Sequence, residues 1–385
     1  MKRLIFLLLC AMSGSAMAQS PAPQASPEQL AAARRLVVAM ELPRYARYSL
    51  SHTAGPDRES TEVMLHISQH VSDADLAAVL APAYASHASA ADMDRLATLL
   101  KSGGGRRMVL ANLAQQNVID GPKAPLYSPA EQAEIRAIGA QPANKAFTAA
   151  GKQIAEDAKR NAQAWRTQYY QAYQRQAMAA LADLAKQTTT LKPGDPEPRL
   201  HYQPAGLKTL DDMTIAIANH RIMVANARVA MRADLDSYNL RQNLAQEKMV
   251  TAQGIADGRK ALKLAEERME RYLRAIDAQE GMFRQKLQSV IPDQQSLGAL
   301  EKGIASEYDV MVRFGENQRG LLDAYSRTLD FAESRLGKIH MQNGQLAFDD
   351  DADLGVFNTL RAQMAKLADE EAQLAKLGTS PATAK

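Results

Sequence analysis

SAADMDRLATLLKSGGGRRMVLANL, Ser89–Leu113, reads as a helix, a glycine turn and a second helix. Ser89 stands as an N-cap, and Asp92 falls in the first turn, where the helix dipole favours a carboxylate. Leu96 and Leu99 follow on a helical period, and Gly103-Gly104-Gly105 ends the run before Arg106 restarts it. A fainter copy lies 39 residues on: Ser128, Glu131, Ile135 and Ile138 replace Ser89, Asp92, Leu96 and Leu99. Gln141-Pro142-Ala143-Asn144-Lys145 replaces the glycine turn, and Phe147 aligns with Met108. The copy turns without glycine, so glycine reads as dispensable to the unit.

Start signals of the same kind recur. Ser26-Pro27-Glu28-Gln29 and Ser128-Pro129-Ala130-Glu131 each combine a serine cap, a proline at the first helical position and a residue that reaches back to the cap. Together with the apolar spacing they predict helices at Pro27–Met40, Thr61–Val71, Asp73–Ser86, Ala90–Lys101, Arg106–Asn117 and Pro129–Ala140. A longer one is predicted from Asn144 to Lys186. Aromatic residues make up only 5%, while Ala, Leu, Gln, Arg, Glu and Met abound. That composition loses little side-chain freedom in helices and is poor in strand formers. The expected fold is all-α: an N-terminal antiparallel helical array followed by an elongated helical bundle or coiled-coil hairpin.

Residues 191–206 hold Pro193, Pro196, Pro198 and Pro204 with Gly194 and Gly206, a density that cannot continue a helix and reads as a linker. Beyond it, through 207–378, the period is seven. Leu210, Ile217, Val224, Met231 and Tyr238 form one ladder, and Ile255, Leu262, Met269, Ile276, Phe283 and Val290 another. A third runs Ile304, Tyr308, Met311, Leu322, Tyr325, Leu329, Ala332, Leu336, Ile339, weakened at Gly315 and Gln318. The last is Phe357, Leu360, Met364, Leu367, Leu374. Such ladders demand a seam against another helix, within the chain or on a second copy. Ile291-Pro292-Asp293 and Gln342-Asn343-Gly344 interrupt them, which predicts hairpin reversals.

Residues 1–18 read as a signal peptide: Lys2 and Arg3, a short apolar run from Leu4 to Met12, then the small-residue site Ala16-Met17-Ala18. The run is too short to span a bilayer, and no later stretch is apolar for long enough. Leu9 stands before Cys10 where a lipobox requires a small residue, which argues against a lipid anchor. The mature chain, expected in the periplasm, would start at Gln19. It would carry a polar tail ahead of the helical domain of 19–190, and 379–385 would form a disordered tail. Cys10 is the single cysteine, so the mature chain lacks thiol chemistry and cysteine metal sites. Without Lys2 and Arg3 the 46 basic and 43 acidic residues come within one charge of balance, which gives no reason to expect nucleic acid as a partner.

Ala81-Pro82-Ala83-Tyr84-Ala85, the capped helix from Ser89 and Lys101-Ser102-Gly103-Gly104-Gly105-Arg106-Arg107-Met108 resemble the exported bacterial domain-of-unknown-function family DUF-2059. The resemblance covers Leu30–Gln116, less clearly to Tyr170, and leaves the second half untouched. Gly103 departs from a common proline and Leu99-Leu100 from a common aromatic pair. The resemblance implies an exported, small all-helical domain, and it brings no catalytic residues.

Several constellations carry possible chemistry. His66 and His70 share a helical face at a spacing that suits zinc or copper, with His52 and His87 as conceivable further ligands. Two ligands do not make a zinc site, and Ile67 occupies the place of a zincin glutamate. Gly103–Arg107 leads into a helix N-terminus with two guanidiniums, an arrangement that can hold a phosphate or carboxylate. Asp349–Asp353 resembles a calcium loop, but its glycine comes one place late and Leu360 replaces the bidentate glutamate. Asp92/Asp94 and Glu266/Glu267 are carboxylate pairs with no evident cleft to part their pKa values. Trp165, Tyr169, Tyr170 and Tyr173 form an aromatic face, read as core or as a ligand ledge. None of these is specific enough to name a catalytic, cofactor or metal residue.

The expected function is therefore non-enzymatic: a periplasmic helical protein acting through protein–protein contact or self-association on its heptad helices. The alternative is a metal- or anion-binding sensing module, and an envelope hydrolase ranks third. N-terminal sequencing of the chain recovered from the envelope of producing cells should begin at Gln19; recovery of Met1 would remove the export reading.

Overall fold

The structure, a computed structural model, describes residues 25–291 and 294–379, with the side chains of Arg241, 294–308 and 375–379 outside that description. The signal peptide expected at 1–18, the polar segment after it, Pro292 and Asp293 of the expected reversal, and 380–385 of the tail lie outside the described residues. Among the described residues the fold is all-α, apart from one two-stranded hairpin. The chain divides into two compact units, one running to Arg175 with Ala205–Lys208, the other Gln176–Pro204 with Thr209 onward. The division falls inside the helix Gly151–Thr190, ahead of the stretch where the sequence places a linker.

The first unit holds α1 (Pro27–Ala39), α2 (Leu42–His52), α3 (Arg58–His70), α4 (Asp73–Leu80), α5 (Pro82–Ala85) and α6 (Ala90–Leu100). α7 (Gly103–Gln115), α8 (Pro129–Ala140), α9 (Pro142–Ala149) and the start of α10 (Gly151–Thr190) complete it. Ser26 and Ser128 form full capping boxes with Gln29 and Glu131, and Ser72 and Ser89 accept from the N–H groups of Asp75 and Asp92. Each cap satisfies donors that a first helical turn leaves without an intrahelical partner. α1 is the centre: Ala32, Ala33, Leu36 and Val37 are fully buried, with α4, α5 and α6 packed round them. Ala77, Ala81, Ala83 and Ala85 belong to the same core, and alanine is buried without loss of rotamer entropy. Tyr84 is buried among them and meets Phe147 edge-on, with ring centroids 5.5 Å apart.

Three local expectations need correction. The helix expected at Asp73–Ser86 is two, because Pro82 lacks the N–H that would continue the ladder. The one expected from Asn144 is likewise α9 and α10, parted at Ala150. α2 is additional; it starts behind Glu41, whose φ of 57° turns the chain in a way that a glutamate does not advertise. The array is also not antiparallel throughout. Gln29 donates to Ala88 O and Arg35 pairs with Asp94, so α1 and α6 run the same way.

The second unit holds the end of α10, α11 (Lys208–Ser237), α12 (Leu240–Asn243), a 3-10 turn at Gln246–Lys248 and α13 (Ala252–Val290). α14 (Gln294–Ser334), β1 (Ile339–Gln342), β2 (Gln345–Phe348) and α15 (Asp351–Thr379) follow. All six members of the seven-spaced ladder from Ile255 to Val290 are buried. Paired contacts fix the directions: Arg268–Asp234 with His220–Glu280 between α13 and α11, Arg319–Glu270 with Arg259–Glu333 between α14 and α13, and Arg335–Asp353 with Asn317–Leu367 between α14 and α15. Those helices run antiparallel in succession. α10 and α11, by contrast, run in parallel, since Arg221 donates to Leu181 O and Arg228 to Thr188 O at one constant offset. A parallel pair needs a return connection, and the Pro-rich stretch supplies it. Gln187 exchanges two hydrogen bonds with the Arg199 backbone, at 3.0 and 3.1 Å, and His201 reaches Asp183, so the stretch lies back along α10. The third ladder ends early. α14 stops at Ser334, Leu336 is exposed, and Ile339 is buried as the first residue of β1. The reversal at Asn343-Gly344 has φ values of 53° and 76°, the two left-handed positions that an Asn-Gly hairpin turn requires.

The starts of α6 and α7 recur in α8 and α9 at the 39-residue offset, while α9 is shorter than α7 and ends at Ala149. The glycines of the first copy are nonetheless needed. A Cβ on Gly105 would stand 2.1 Å from Leu99 O, and one on Gly104 2.8 Å from Glu131 O. In the second copy Ala143 fills the place of Gly104 with its methyl buried. Gly105→Ala should therefore destabilise the protein by roughly 1–3 kcal/mol through backbone displacement. Urea unfolding measures this, and an unchanged midpoint would refute the close approach.

Candidate functional site

Two motifs that look separate in the sequence meet in the first unit. α3 carries His66 and His70 one turn apart, with ring centroids 4.4 Å from each other. α10 carries Trp165, Tyr169 and Tyr173 at successive four-residue steps, and neighbouring rings stand 5.4 and 5.2 Å apart. His66 Nδ1 lies 2.8 Å from the Tyr169 hydroxyl, and Tyr173 presents its edge to the same imidazole at 5.5 Å. His66 is buried, and Gly206 lies against it so closely that a Cβ there would stand 3.3 Å from Nε2. The end of α3 is held by Arg47, which donates to Ser68 O, to Val71 O at 2.7 Å and to Asp73 at 2.6 Å. A guanidinium on the last carbonyls of a helix satisfies acceptors that the ladder leaves open.

Beside this cluster is an open groove of about 550 Å³ between α4 and α10. Val71, Ala78, Val79 and Pro82 line one side; Asn161, Trp165, Gln168 and Tyr169 line the other, with Asp75 among the lining residues. Asn161 and Gln168 were not singled out by the sequence. Their signal is spacing, since 161, 165 and 168 form an i, i+4, i+7 face. Asp75 is already engaged, accepting a 2.6 Å hydrogen bond from Ser72 Oγ. Burial, and then the neighbouring Tyr173, pushes the Tyr169 phenol above its ordinary range; burial, and then Glu59, does the same to Tyr170.

The other candidates are drawn into the chain's own bonding. The three glycines expected as a turn ahead of Arg106 are instead the first turn of α7, where Glu134 accepts from Gly104 N at 2.6 Å and from Ser102 Oγ at 3.1 Å, Arg106 pairs with Glu41, and Arg107 pairs with Glu131. The donors that would hold an external anion are filled by three internal carboxylates. Asp94 is bidentate with Arg35, whose hydrogen bonds hold that carboxyl below its usual range, while Asp92 accepts from Ser89. Glu266 lies on α13 in a shallow surface depression with Glu267, Glu270 and Arg271. In the acidic loop Asp353 is buried against Arg335, at 2.8 and 2.9 Å, and Asp350 accepts from Ala352 N. His52 stacks on Tyr48 within α2. Among the described residues no three His, Cys, Asp or Glu side chains are grouped to hold a metal ion, and no helix is long and apolar enough to cross a membrane. In the second unit His220 stacks on Phe283 at 4.2 Å and lies 3.7 Å from the buried carboxylate of Glu280, which Arg284 also holds.

No family model, curated protein or solved structure matches the chain.

The raised phenols have a pH consequence. Tyr84 is pushed up by burial as well, so Tyr84, Tyr169 and Tyr170 all hold their protons more tightly folded than unfolded. Their contribution to stability is complete below the ordinary tyrosine value of about 10 and is lost as the pH rises past it. Ultraviolet titration of the twelve tyrosines should show these three ionising only as the protein unfolds. Free ionisation of all twelve near the ordinary value, with helicity intact, would contradict the burial.

Proposed function

We propose that the chain is an exported, non-enzymatic helical protein that works by contact with other proteins or with a second copy of itself. One observation carries this reading. The polar groups that chemistry would use at the glycine turn, at Asp94 and at Asp353 are engaged within the chain, while large apolar side chains remain exposed on the helices of the second unit. Leu264 and Met282, 39% and 56% exposed, lie eighteen residues apart on α13 and so on one face, since about five full turns separate them. Exposed apolar residues aligned along a helix suit a partner helix. The resemblance of the first unit to DUF-2059 belongs to the same proposal and supplies its export and its lack of a catalytic set. A photo-crosslinking residue at position 264 or 282 in producing cells should give discrete adducts of higher mass, and sedimentation of the purified chain tells self-association from a foreign partner. Monomer alone at both positions, with a monomer in sedimentation, would defeat the reading.

A further inference from the structure

The groove between α4 and α10 has a lining that selects its ligand chemistry, independently of any protein partner on the second unit. None of its lining residues is Lys or Arg, so nothing in it compensates a phosphate, a nucleic acid or an acidic peptide. Its single carboxylate, Asp75, is exposed and capped by Ser72, which leaves too little charge to draw a metal ion or a strongly cationic ligand. What remains is neutral. One wall is aliphatic, Val71, Ala78, Val79 and Pro82; the other sets the half-exposed Trp165 between the amides of Asn161 and Gln168. Among the described residues neither amide, nor the Trp165 indole N–H, makes an intrachain hydrogen bond. Each amide offers both an acceptor oxygen and two donor hydrogens, and the indole offers one more donor. The two amides are seven residues apart on one helix face, roughly 10 Å along the axis.

We propose that this groove binds a neutral saccharide, laid against Trp165 with its hydroxyl or acetamido groups bonded to Asn161 and Gln168. A sugar ring carries polarised C–H bonds on its face, which the negative face of an aromatic ring attracts, and donor-acceptor groups round its edge, which side-chain amides satisfy in either sense. The aliphatic wall suits the apolar ring face or an acetamido methyl. The two-turn separation of the amides suits a short oligomer more than a single ring. An extended peptide would seek a strand edge or a run of unpaired backbone groups, whereas both walls here are helices with internally bonded backbones.

Trp165 is the single tryptophan of the chain, so indole emission reports this groove alone. The full chain is titrated with chitotetraose, with cellotetraose and, as the competing class, with an uncharged proline-rich decapeptide. The proposal predicts a saturable emission change with at least one of the two saccharides, half-complete at or below about 1 mM. Preference for chitotetraose would assign the amides to acetamido groups, and equal binding would assign them to ring hydroxyls; both support the proposal. Gln168 is exposed, so Gln168→Ala should keep the helical circular dichroism while weakening binding roughly fivefold, the loss expected for one hydrogen bond. In calorimetry, Trp165→Phe should retain part of the affinity that Trp165→Ala removes. No saturable change with either saccharide, a response to the decapeptide alone, or unaltered binding by Gln168→Ala together with Asn161→Ala would overturn it.

Discussion

Glu131 and Glu134, on successive positions of one face of α8, close the turn between α6 and α7, and the arrangement of the first unit depends on that closure. Glu134 supplies the negative charge that the N-terminus of α7 attracts, through Gly104 N and Ser102 Oγ. Glu131 completes its own capping box at Ser128 while it chelates Arg107, and the Arg107 hydrogen bonds lower its carboxyl more than the Ser128 backbone does. Gly104 must lack a side chain for α8 to come this near, and Gly105 must lack one for α7 to leave α6 at this angle. A stretch with the look of an anion site is thus a joint whose anions come from the neighbouring helix.

The second unit obeys a different constraint, the seven-residue seam. Its six ladder positions on α13 are buried together, and where the partner helix must come closest the facing residue is glycine, Gly315 opposite Leu273 and Gly258 opposite Leu329. A polar group also sits between α14 and α15: Asn317 is buried and donates to Leu367 O at 2.9 Å. A buried amide is satisfied in one register only, so Asn317 sets the alignment of α14 on α15 where leucines would tolerate a shift.

The legible parts of the fold were those written as local periodicity or capping. Ser26, Ser89 and Ser128 each cap the helix that their spacing announces, and the α13 ladder is buried throughout. The left-handed Glu41 and the return of residues 191–204 along α10 were not legible, because each depends on a partner distant in sequence or on a backbone angle that its residue rarely adopts. The site followed the same division. His66/His70 and Trp165/Tyr169/Tyr173 were each visible as helical faces, but that they share one cluster is tertiary information. Asn161 and Gln168 escaped notice because amides on a polar helix look like solvent-facing residues until an opposing wall is known.

The directions of the pKa shifts bear on what such a surface can do. Of the lowered carboxyls, Asp94, Glu131 and Glu270 are each lowered first by an arginine on another helix, as in structural ion pairing, and Asp183 is lowered first by His201. The raised phenols of Tyr84, Tyr169 and Tyr170 are raised first by burial. Around the α10 groove the Tyr169 phenol, neutral at physiological pH as an ordinary tyrosine is and raised further by burial, stands beside an indole and two amides that carry no charge in that range. A surface so nearly free of charge offers little long-range steering, so a ligand there would be selected by shape, apolar contact and hydrogen bonds at short range.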